Sequence, residues 1–372
     1  MTRGSGEQAG SGLKTGFLEL EDGTVFRGEL FGSCGETDGE VVFNTGMVGY
    51  PESMTDPSYR GQILAFTYPL IGSYGVPDFR KGSDRFESDH IQVRGIVVQN
   101  YIDEYSHHEA VTSLDRWMKD EGIAGIQGID TRELTKILRN RGTMLGRIVS
   151  IPPEKDGFRV EDPNSTDLVS EVTSPGIERI DQANGDSPNV LVMDCGCKRS
   201  IVSELAARGL GITVIPYDHD PAGMEFDGIM ISNGPGDPSI LVKTIENVGK
   251  LMEERPEVPI SGICLGCQIL ALAAGGRTYK LPFGHRSQNQ PSRLKGTESC
   301  VITSQNHGYA VDGKSLPAGW EIWYENLNDG SVEGIRHSER PYFAVQFHPE
   351  ASPGPTDSRD FFDRFAEVVR RG

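Results

Sequence analysis

A cysteine at the end of an apolar run is the residue whose surroundings best suit covalent chemistry in this sequence. Cys264 lies in GICLGCQ, where a predicted buried strand turns directly into a predicted helix between Gly262 and Gly266. The partial positive charge of a helix N-terminus favours the thiolate form of a cysteine. Small neighbours also permit the sharp turn of a nucleophile elbow. We therefore predict that Cys264 is a nucleophile, with a buried structural cysteine as the alternative.

A histidine with a nearby carboxylate follows a second apolar run. His348 comes directly after the predicted strand 342–347, and Pro349 favours an extended backbone at His348. In an extended segment the side chain of Glu350 lies on the same side as that of His348. Nucleophile, base and orienting carboxylate are the three roles of a catalytic triad. Cys264, His348 and Glu350 are thus the predicted catalytic residues.

Three loops offer groups that could surround a substrate. In ISNGPGDP, between a predicted strand and helix, Gly234 and Gly236 would let backbone N–H groups approach an oxyanion without a Cβ in the way. The segments SQNHGYAVD, with Gly308 at its centre, and FNTGMVGY each follow a predicted strand. Taken alone, each of the three segments is also explained as an ordinary turn or loop.

The second half of the chain must position these groups, and it alternates predicted strands with predicted helices. Such alternation predicts a doubly wound, mostly parallel sheet, whose ligands bind at the carboxyl ends of the strands. The predicted strands are 189–194, 211–217, 227–232, 259–264, 300–305, 321–325 and 342–347, and the predicted helices are 198–208, 239–254, 265–276 and 357–371.

The first half mixes a hairpin with helices, which predicts an α+β domain. Apolar residues alternate on both sides of the turn dipeptide Asp22-Gly23, which predicts a hairpin over 17–31. Asp130 and Glu133 have the spacing of a helix capping box. The further predicted strands are 40–43 and 95–101, and the predicted helices run over roughly 111–120 and from near Asp130 to near Gly142.

Four segments follow from these patterns. We predict a disordered polar tail at 1–15, an N-terminal α+β domain at 16–175, a linker at 176–188 and an α/β domain at 189–372. The linker is placed where Pro, Gly, Ser and Asp accumulate between the two patterned halves.

The composition narrows the class of protein. With 54 acidic and 36 basic residues, the formal charge of −18 would repel phosphates, so we expect no nucleic-acid partner. The apolar runs are too short to predict a membrane span. The glycine-rich N-terminus lacks the apolar core of a secretory signal, so we expect a cytoplasmic location and reduced cysteines.

The paired cysteines support a different class of protein. Cys195 and Cys197 form one close pair, and Cys264 and Cys267 form another, each at the predicted end of a strand of the same sheet. Pairs of this kind bind zinc or carry out thiol–disulfide chemistry in other proteins. A zinc or redox protein is therefore the remote alternative to a cysteine hydrolase.

Together these segments resemble the triad-type, or class I, glutamine amidotransferases, through NGPGDP at 233, GICLGCQ at 262 and FHPE at 347. The first half narrows the resemblance to the small subunit of carbamoyl-phosphate synthetase, through FNTGMVGYPESMTDPSYRGQILAFTYPLIGSYGV at 43 and GIDTRELTKILRNRGTMLGRI at 128. The segments GHRSQNQP, SQNHGYAVD and HPEASPGPTDS add to it. The resemblance covers nearly the whole chain after the predicted tail.

The resemblance implies a glutaminase reaction. Cys264 would attack the side-chain amide of L-glutamine, and His348, supported by Glu350, would transfer the proton. Backbone N–H groups at Leu265 and in the Gly234–Gly236 loop would hold the oxyanion. The other positions that the resemblance places around glutamine are Gly46, Gln268, Asn306, Gly308 and Tyr309.

The resemblance also implies a partner. Ammonia passes through a tunnel to a large, ATP-using subunit, which makes carbamoyl phosphate from bicarbonate, ammonia and ATP. The sequence contains no G-x-x-x-x-G-K-[ST] loop, so ATP and Mg are expected on that subunit. No metal or organic cofactor is implied for the glutaminase step, and the destination of the product, arginine or pyrimidines, stays open.

Three departures from the family pattern leave the triad untouched. Cys267 occupies a position that is often His, Gly46 one that is often Ser, and GHRSQNQP replaces a segment richer in Gly and His. Two further alternatives are the amidotransferase of another synthetase, which would not need the first half, and a non-catalytic subunit, which would not need Cys264.

Overall fold

The computed structural model describes residues 14–78, 86–154, 157–180 and 187–371. Most of the predicted tail lies outside these residues, and the first strand begins at Thr15. In chain order the elements of the first half are β1 (Thr15–Leu20), β2 (Val25–Gly32), β3 (Thr37–Asn44), α1 (Tyr50–Thr55), β4 (Gln62–Phe66), β5 (Leu70–Ile71), β6 (Val76–Pro77), β7 (Gly95–Val97), β8 (Asn100–Tyr101), β9 (Ala110–Thr112), α2 (Leu114–Glu121), β10 (Ala124–Gln127), α3 (Thr131–Arg141) and β11 (Met144–Val149).

Seven of these strands close into a barrel in the order β1-β11-β3-β4-β7-β10-β2. The barrel closes because β1 pairs antiparallel with both β2 and β11. Alternate side chains point to opposite sides of the strands, so Val41 packs in one apolar cluster with α3, and Val42 packs in another with α2. The short strands form two separate pairs, β5 with β8 and β6 with β9.

The hairpin predicted over 17–31 is confirmed as β1 and β2, with Gly23 in the turn at a φ of 82°. Asp130 caps α3 by accepting a hydrogen bond from the Glu133 N–H at 2.9 Å, as predicted. The helix predicted from 111 begins only after Ser113, because Ala110–Thr112 pairs with the distant β6. The strand predicted at 95–101 is divided between β7 in the barrel and β8.

A ten-stranded sheet forms most of the second half, in the order β12-β14-β13-β15-β16-β21-β20-β19-β17-β18. Its elements are β12 (Glu178–Ile180), β13 (Asn189–Asp194), α4 (Arg199–Ala207), β14 (Gly211–Pro216), β15 (Gly228–Ile231), α5 (Val242–Glu254), β16 (Ile260–Ile263), α6 (Leu265–Ala273), β17 (Thr278–Leu294), β18 (Cys300–Val311), β19 (Trp320–Asn326), β20 (Val332–His337), β21 (Tyr342–Val345) and α7 (Asp360–Arg371).

The α/β class is confirmed, with a central parallel part made of β14, β13, β15, β16 and β21. Helices cover both faces of this part. Leu191 and Met193 pack with α5 and α6, whereas Val190 and Val192 pack with α4 and α7. The strands β20, β19, β17 and β18 extend the sheet in antiparallel fashion, and β17 and β20 were not predicted.

The predicted linker contributes to this sheet. Within 176–188, β12 pairs antiparallel with β14 and forms one edge of the ten-stranded sheet. Residues 181–186 of the linker lie outside the described residues. The domain boundaries therefore stay predictions.

Candidate active site

Cys264 occupies a strained turn between β16 and α6. Its φ and ψ are 54° and −103°, a conformation with positive φ that is rare outside glycine. The turn requires two glycines: a Cβ on Gly262 would lie 2.5 Å from the Gly266 carbonyl, and one on Gly266 would lie 2.1 Å from the Ile231 oxygen. Packing that enforces such a turn is the property of a nucleophile elbow, and it places the thiol at the carboxyl edge of the parallel strands.

His348 and Glu350 form a buried pair just after β21. The atoms His348 Nδ1 and Glu350 Oε1 are 2.5 Å apart, and both side chains are buried. The other ring nitrogen, Nε2, is also buried and has no nitrogen or oxygen partner in the part of the chain that the structure describes. The ring interacts instead with the Cys264 side chain. Sulfur, imidazole and carboxylate are thus neighbours, although 84 residues of chain separate positions 264 and 348.

A buried lysine holds the carboxylate from its other side. Lys198 Nζ donates to Glu350 Oε1 at 2.9 Å and to the Ala351 carbonyl at 2.7 Å. Burial alone would lower the pKa of Lys198, but the carboxylates of Glu350, Glu87 and Asp56 raise it above its usual value. The lysine therefore stays charged at neutral pH and fixes the position of Glu350.

Attraction between opposite charges outweighs burial at both members of the pair. Burial would lower the pKa of His348, yet the Glu350 carboxylate and the Cys264 sulfur raise it to about 10. Burial would raise the pKa of Glu350, yet Lys198 and His348 lower it to about 2. At neutral pH the imidazole accordingly carries a second proton.

The nucleophile faces a cleft of about 460 Å³ between the barrel and the sheet. His348 lines a smaller adjoining cavity of about 290 Å³, and Asn306 lines both spaces. The barrel contributes Glu40 and Gln62 to the cleft. The predicted site residues that line it are Gly234, Gly236, Cys264, Gln268, Asn306, Gly308 and Tyr309.

The two segments predicted to hold an oxyanion lie beside each other. A Cβ on Gly234 would lie 2.0 Å from the Cys195 oxygen and 2.8 Å from Leu265 Cδ2, so only glycine fits between them. Gly236 has a φ of 86°, which glycine adopts without strain. Leu265 is the first residue of α6, where backbone N–H groups lack partners within the helix.

The helix after the nucleophile is tied to the loop that lines the cleft. Gln268 Nε2 donates to the Tyr309 carbonyl at 2.8 Å and to Gln346 Oε1 at 3.1 Å. Opposite Gly308, Arg286 Nη2 is only 3.3 Å from where a Cβ would stand. These contacts hold the loop close to Cys264.

Gly46 is placed differently from the other predicted glutamine-binding residues. It is not among the described residues that line the cleft, and it is buried where a Cβ would lie 2.4 Å from Gln288 Nε2. Its N–H donates to Asn44 Oδ1 at 2.6 Å. A side chain at position 46 would therefore displace Gln288.

The cysteines and histidines offer little support for the zinc alternative. Each cysteine carries a free thiol, and Cys195 and Cys267 are buried among apolar side chains. Among the described residues, the group arranged closely enough to bind a metal is His285, His307 and Glu333, without any cysteine. In that group His285 Nε2 lies 2.9 Å from Asp329 Oδ2. Burial would lower the pKa of His285, but the carboxylates of Asp329 and Glu333 raise it to about 9.

Comparison with known proteins gives the family. The description "Carbamoyl-phosphate synthase small chain, CPSase domain" matches residues 18–148, and "Glutamine amidotransferase class-I" matches 191–368. The arginine-specific carbamoyl phosphate synthase small chain of Neurospora crassa is 48% identical over 97% of this chain and 81% of its own length. The corresponding protein of Yarrowia lipolytica is 48% identical over 100% of this chain and 86% of its own.

This chain belongs to the carbamoyl-phosphate synthase small-chain family. The family also occurs as part of longer proteins: "Multifunctional protein CAD" of Squalus acanthias is 47% identical over 95% of this chain. The chain spans between 16% and 21% of the length of the multifunctional relatives that it matches. The match to the first half disfavours the amidotransferase of an unrelated synthetase. Among the described residues, none of the helices has the length and apolarity needed to cross a membrane.

Sequence reasoning missed three residues that the structure brings to the site. The sequence analysis placed Lys198 only at the start of a predicted helix. Asp56 and Asn233 lie within longer motifs, and no role was predicted for either. All three are charged or polar, and all are buried. A signal existed, because Lys198 and Asn233 each follow a strongly apolar strand on the edge that carries Cys264.

Proposed function

We propose that this protein hydrolyses the side-chain amide of L-glutamine and supplies the ammonia for carbamoyl-phosphate synthesis. The proposal rests chiefly on one observation: Cys264 lies on a strained turn at a cleft, beside the buried pair His348 and Glu350. The match of residues 191–368 to class-I glutamine amidotransferases supports it.

The proposed reaction passes through a thioester. The Cys264 sulfur attacks the amide carbon, the C–N bond breaks, and His348 gives its proton to the leaving nitrogen, which departs as ammonia. Water then attacks the thioester carbon while His348 accepts one of its protons. The C–S bond breaks, glutamate leaves, and the thiolate and imidazolium are restored. The new carboxyl group releases its proton to solvent.

Backbone N–H groups would stabilise the tetrahedral intermediates. We assign this part to Leu265 and to the loop of Gly234 and Gly236, which lie against each other beside the sulfur. Donors fixed before the reaction stabilise developing charge without reorganising. Glu350 orients the imidazole and maintains its proton.

The charges of the cleft suit an amino acid. Glu40, Lys280 and Arg286 line it, and Lys280 Nζ lies 2.8 Å from Glu40 Oε1. Free glutamine carries one ammonium and one carboxylate group, so it can be paired at both ends. We accordingly assign Gln268, Asn306, Gly308 and Tyr309 to the walls of the glutamine site. Gly46 stays outside these walls, where its N–H donates to Asn44 Oδ1.

The ammonia would be used by a large, ATP-using subunit. Relatives named as small chains of carbamoyl phosphate synthase support a separate partner, and the multifunctional relatives support a fused one. ATP and Mg belong to the partner's reaction in this proposal, and the glutaminase step needs neither. We place the reaction in the cytoplasm, feeding arginine or pyrimidine synthesis.

A glutamine analogue carrying a chloroketone tests the proposal directly. We expect it to modify Cys264, as mapped by mass spectrometry, and we expect glutamine to protect against the modification. Cys264→Ser should lower the rate of glutamine hydrolysis by about 10⁴-fold or more, because only residual catalysis remains once the nucleophile is lost. Ammonia-dependent synthesis by the assembled enzyme should persist.

Cys267→Ser is the matched control, since Cys267 lies three residues further along and is fully buried. It should retain both labelling and hydrolysis. Labelling at another cysteine, or normal hydrolysis by Cys264→Ser, would contradict the proposal.

A further inference from the structure

A carboxylate of the barrel half is buried against the catalytic half. Asp56 lies between α1 and the short 3₁₀ helix Pro57–Tyr59, and only 5% of its surface is exposed. Its Oδ1 caps that helix by accepting from the Ser58 N–H at 2.9 Å. An ionised carboxylate can accept several more hydrogen bonds, and the remaining capacity faces the second half.

Two asparagines of the catalytic half use that capacity. Asn306 Nδ2 donates to Asp56 Oδ2 at 2.9 Å. Asn233 Nδ2 lies 3.4 Å from Asp56 Oδ1 and donates to Ser58 Oγ at 2.9 Å. A single carboxylate thus contacts two loops that are more than 70 residues apart in the sequence.

Both asparagines adjoin the reacting groups. The Asn306 carbonyl oxygen lies 3.5 Å from the Cys264 sulfur. Asn233 immediately precedes Gly234, whose loop is assigned to the oxyanion. The side chain of Asn306 therefore points to Asp56, while its backbone points to the nucleophile.

The same short segment also reaches the third loop of the site. Tyr59 accepts a hydrogen bond from Asn44 Nδ2 at 2.8 Å, and Asn44 Oδ1 in turn accepts from the Gly46 N–H. All three loops that were singled out in the sequence are thus attached to residues 56–59.

We infer that Asp56 is a positioning residue for glutamine hydrolysis. Through Asp56, the barrel fixes the positions of the Asn306 carbonyl and of the oxyanion loop relative to the Cys264 sulfur. The inference rests on the proposed glutaminase function and deepens it. Hydrogen bonds to a buried carboxylate are stronger than those between neutral groups, so this link can hold two loops against thermal motion.

Asp56→Asn is the decisive substitution. Asparagine keeps the size of the side chain and an oxygen that caps Ser58, but it turns an amide donor toward the Asn306 donor. Because small displacements at a reacting centre are costly, kcat for glutamine hydrolysis should fall about 10- to 100-fold. The KM for glutamine should change less than about threefold, since the lost contact acts on the transition state.

The reciprocal pair Asp56→Asn with Asn306→Asp restores one donor and one acceptor at the same place. It should raise kcat above that of Asp56→Asn, as expected for two residues that act through one contact. Asp312→Asn is the matched control: Asp312 caps the turn Gly313–Ser315 by the same kind of bond, to the Lys314 N–H at 3.1 Å. Its kcat should equal that of the wild type.

Melting temperatures of all variants separate positioning from stability. Wild-type kcat in Asp56→Asn would overturn the inference. The inference would also be overturned if the reciprocal pair did not raise kcat above that of Asp56→Asn, or if a lower melting temperature explained the fall in kcat. A wild-type protein without glutaminase activity would contradict the proposed function itself, a different result.

Discussion

His348 holds its proton because of a short line of buried charges. Its Nδ1 meets Glu350, and Glu350 meets the Lys198 ammonium. Each neighbour shifts the next pKa in the direction that keeps the imidazole protonated and the carboxylate ionised. In the proposed reaction, this arrangement would let the histidine donate to the leaving nitrogen at neutral pH.

Removing the Glu350 charge should move the pH profile. Without the carboxylate, the interaction that raises the pKa of His348 is lost, so the imidazole gives up its proton at lower pH. The alkaline limb of kcat for Glu350→Gln should shift toward neutral pH, and kcat itself should fall by about 10- to 100-fold. Steady-state glutaminase rates measured from about pH 6 to about pH 10 report both effects. An alkaline limb at the wild-type pH would show that Glu350 does not control this proton.

Local patterns were enough to propose Cys264, His348 and Glu350 as a triad, but not to identify the buried residues that contact them. Cys264 and His348 each follow an apolar strand, which is visible in the sequence. Lys198 and Glu350 are separated by 152 positions, and Asp56 and Asn306 by 250. The first contact depends on how β13 and β21 are arranged in one sheet, and the second on how the two halves dock. Single-sequence patterns carry no information on either.

Among the elements, the turn between β16 and α6 contributes most to the site. Gly266 lies in the first turn of α6 and packs against β15 so closely that a Cβ would lie 2.1 Å from the Ile231 oxygen. The Cys264 backbone also donates to the Val345 carbonyl of β21. The strained conformation of the nucleophile is thus enforced by both neighbouring strands.

Gly266→Ala should both destabilise the fold and misplace the nucleophile. Inserting a methyl group into a packed interior costs about 1–3 kcal/mol, which we expect as the fall in the free energy of unfolding. Denaturant titration measures it, and kcat for glutamine should fall in the folded protein. Gly249→Ala in α5 is the control: its Cβ would meet the Ala273 oxygen at an ordinary 3.5 Å. Equal behaviour of the two variants would argue against a required glycine at 266.

In the second half, strands that are continuous apolar runs were predicted, and irregular ones were missed; in the first half the buried strand β4 was not predicted. The strands β13, β14, β15, β16 and β21 are continuous apolar runs. β17 contains Pro282, Pro291 and two irregular shifts of register with β18, so no alternation marks it. Barrel closure was not predicted, because it depends on pairing between β1 and β11 across the whole first half.

At the scale of the molecule, buried polar groups join the barrel to the sheet. Glu87, on the barrel side, is 2% exposed. Its carboxylate accepts from the Ser200 N–H at 3.2 Å, from Ser200 Oγ at 2.7 Å and from Ser352 Oγ. Burial raises the pKa of Glu87, and the nearby Lys198 charge opposes that rise. The junction therefore depends on matched hydrogen bonds and charges as well as on apolar packing.

Glu87→Ala should weaken the whole molecule. It leaves the half-buried Ser200 and Ser352 hydroxyls without their acceptor and removes a buried negative charge beside Lys198. Breaking a buried polar network in this way costs about 3 kcal/mol, so the free energy of unfolding should fall by that amount. Glu367→Ala is the control, because Glu367 forms an exposed ion pair with Arg371 and should change stability by less than about 0.5 kcal/mol. Because Ser352 lies two residues after Glu350, glutaminase activity should fall together with stability. An unchanged free energy of unfolding would mean that the Glu87 carboxylate does not help to hold the two halves together.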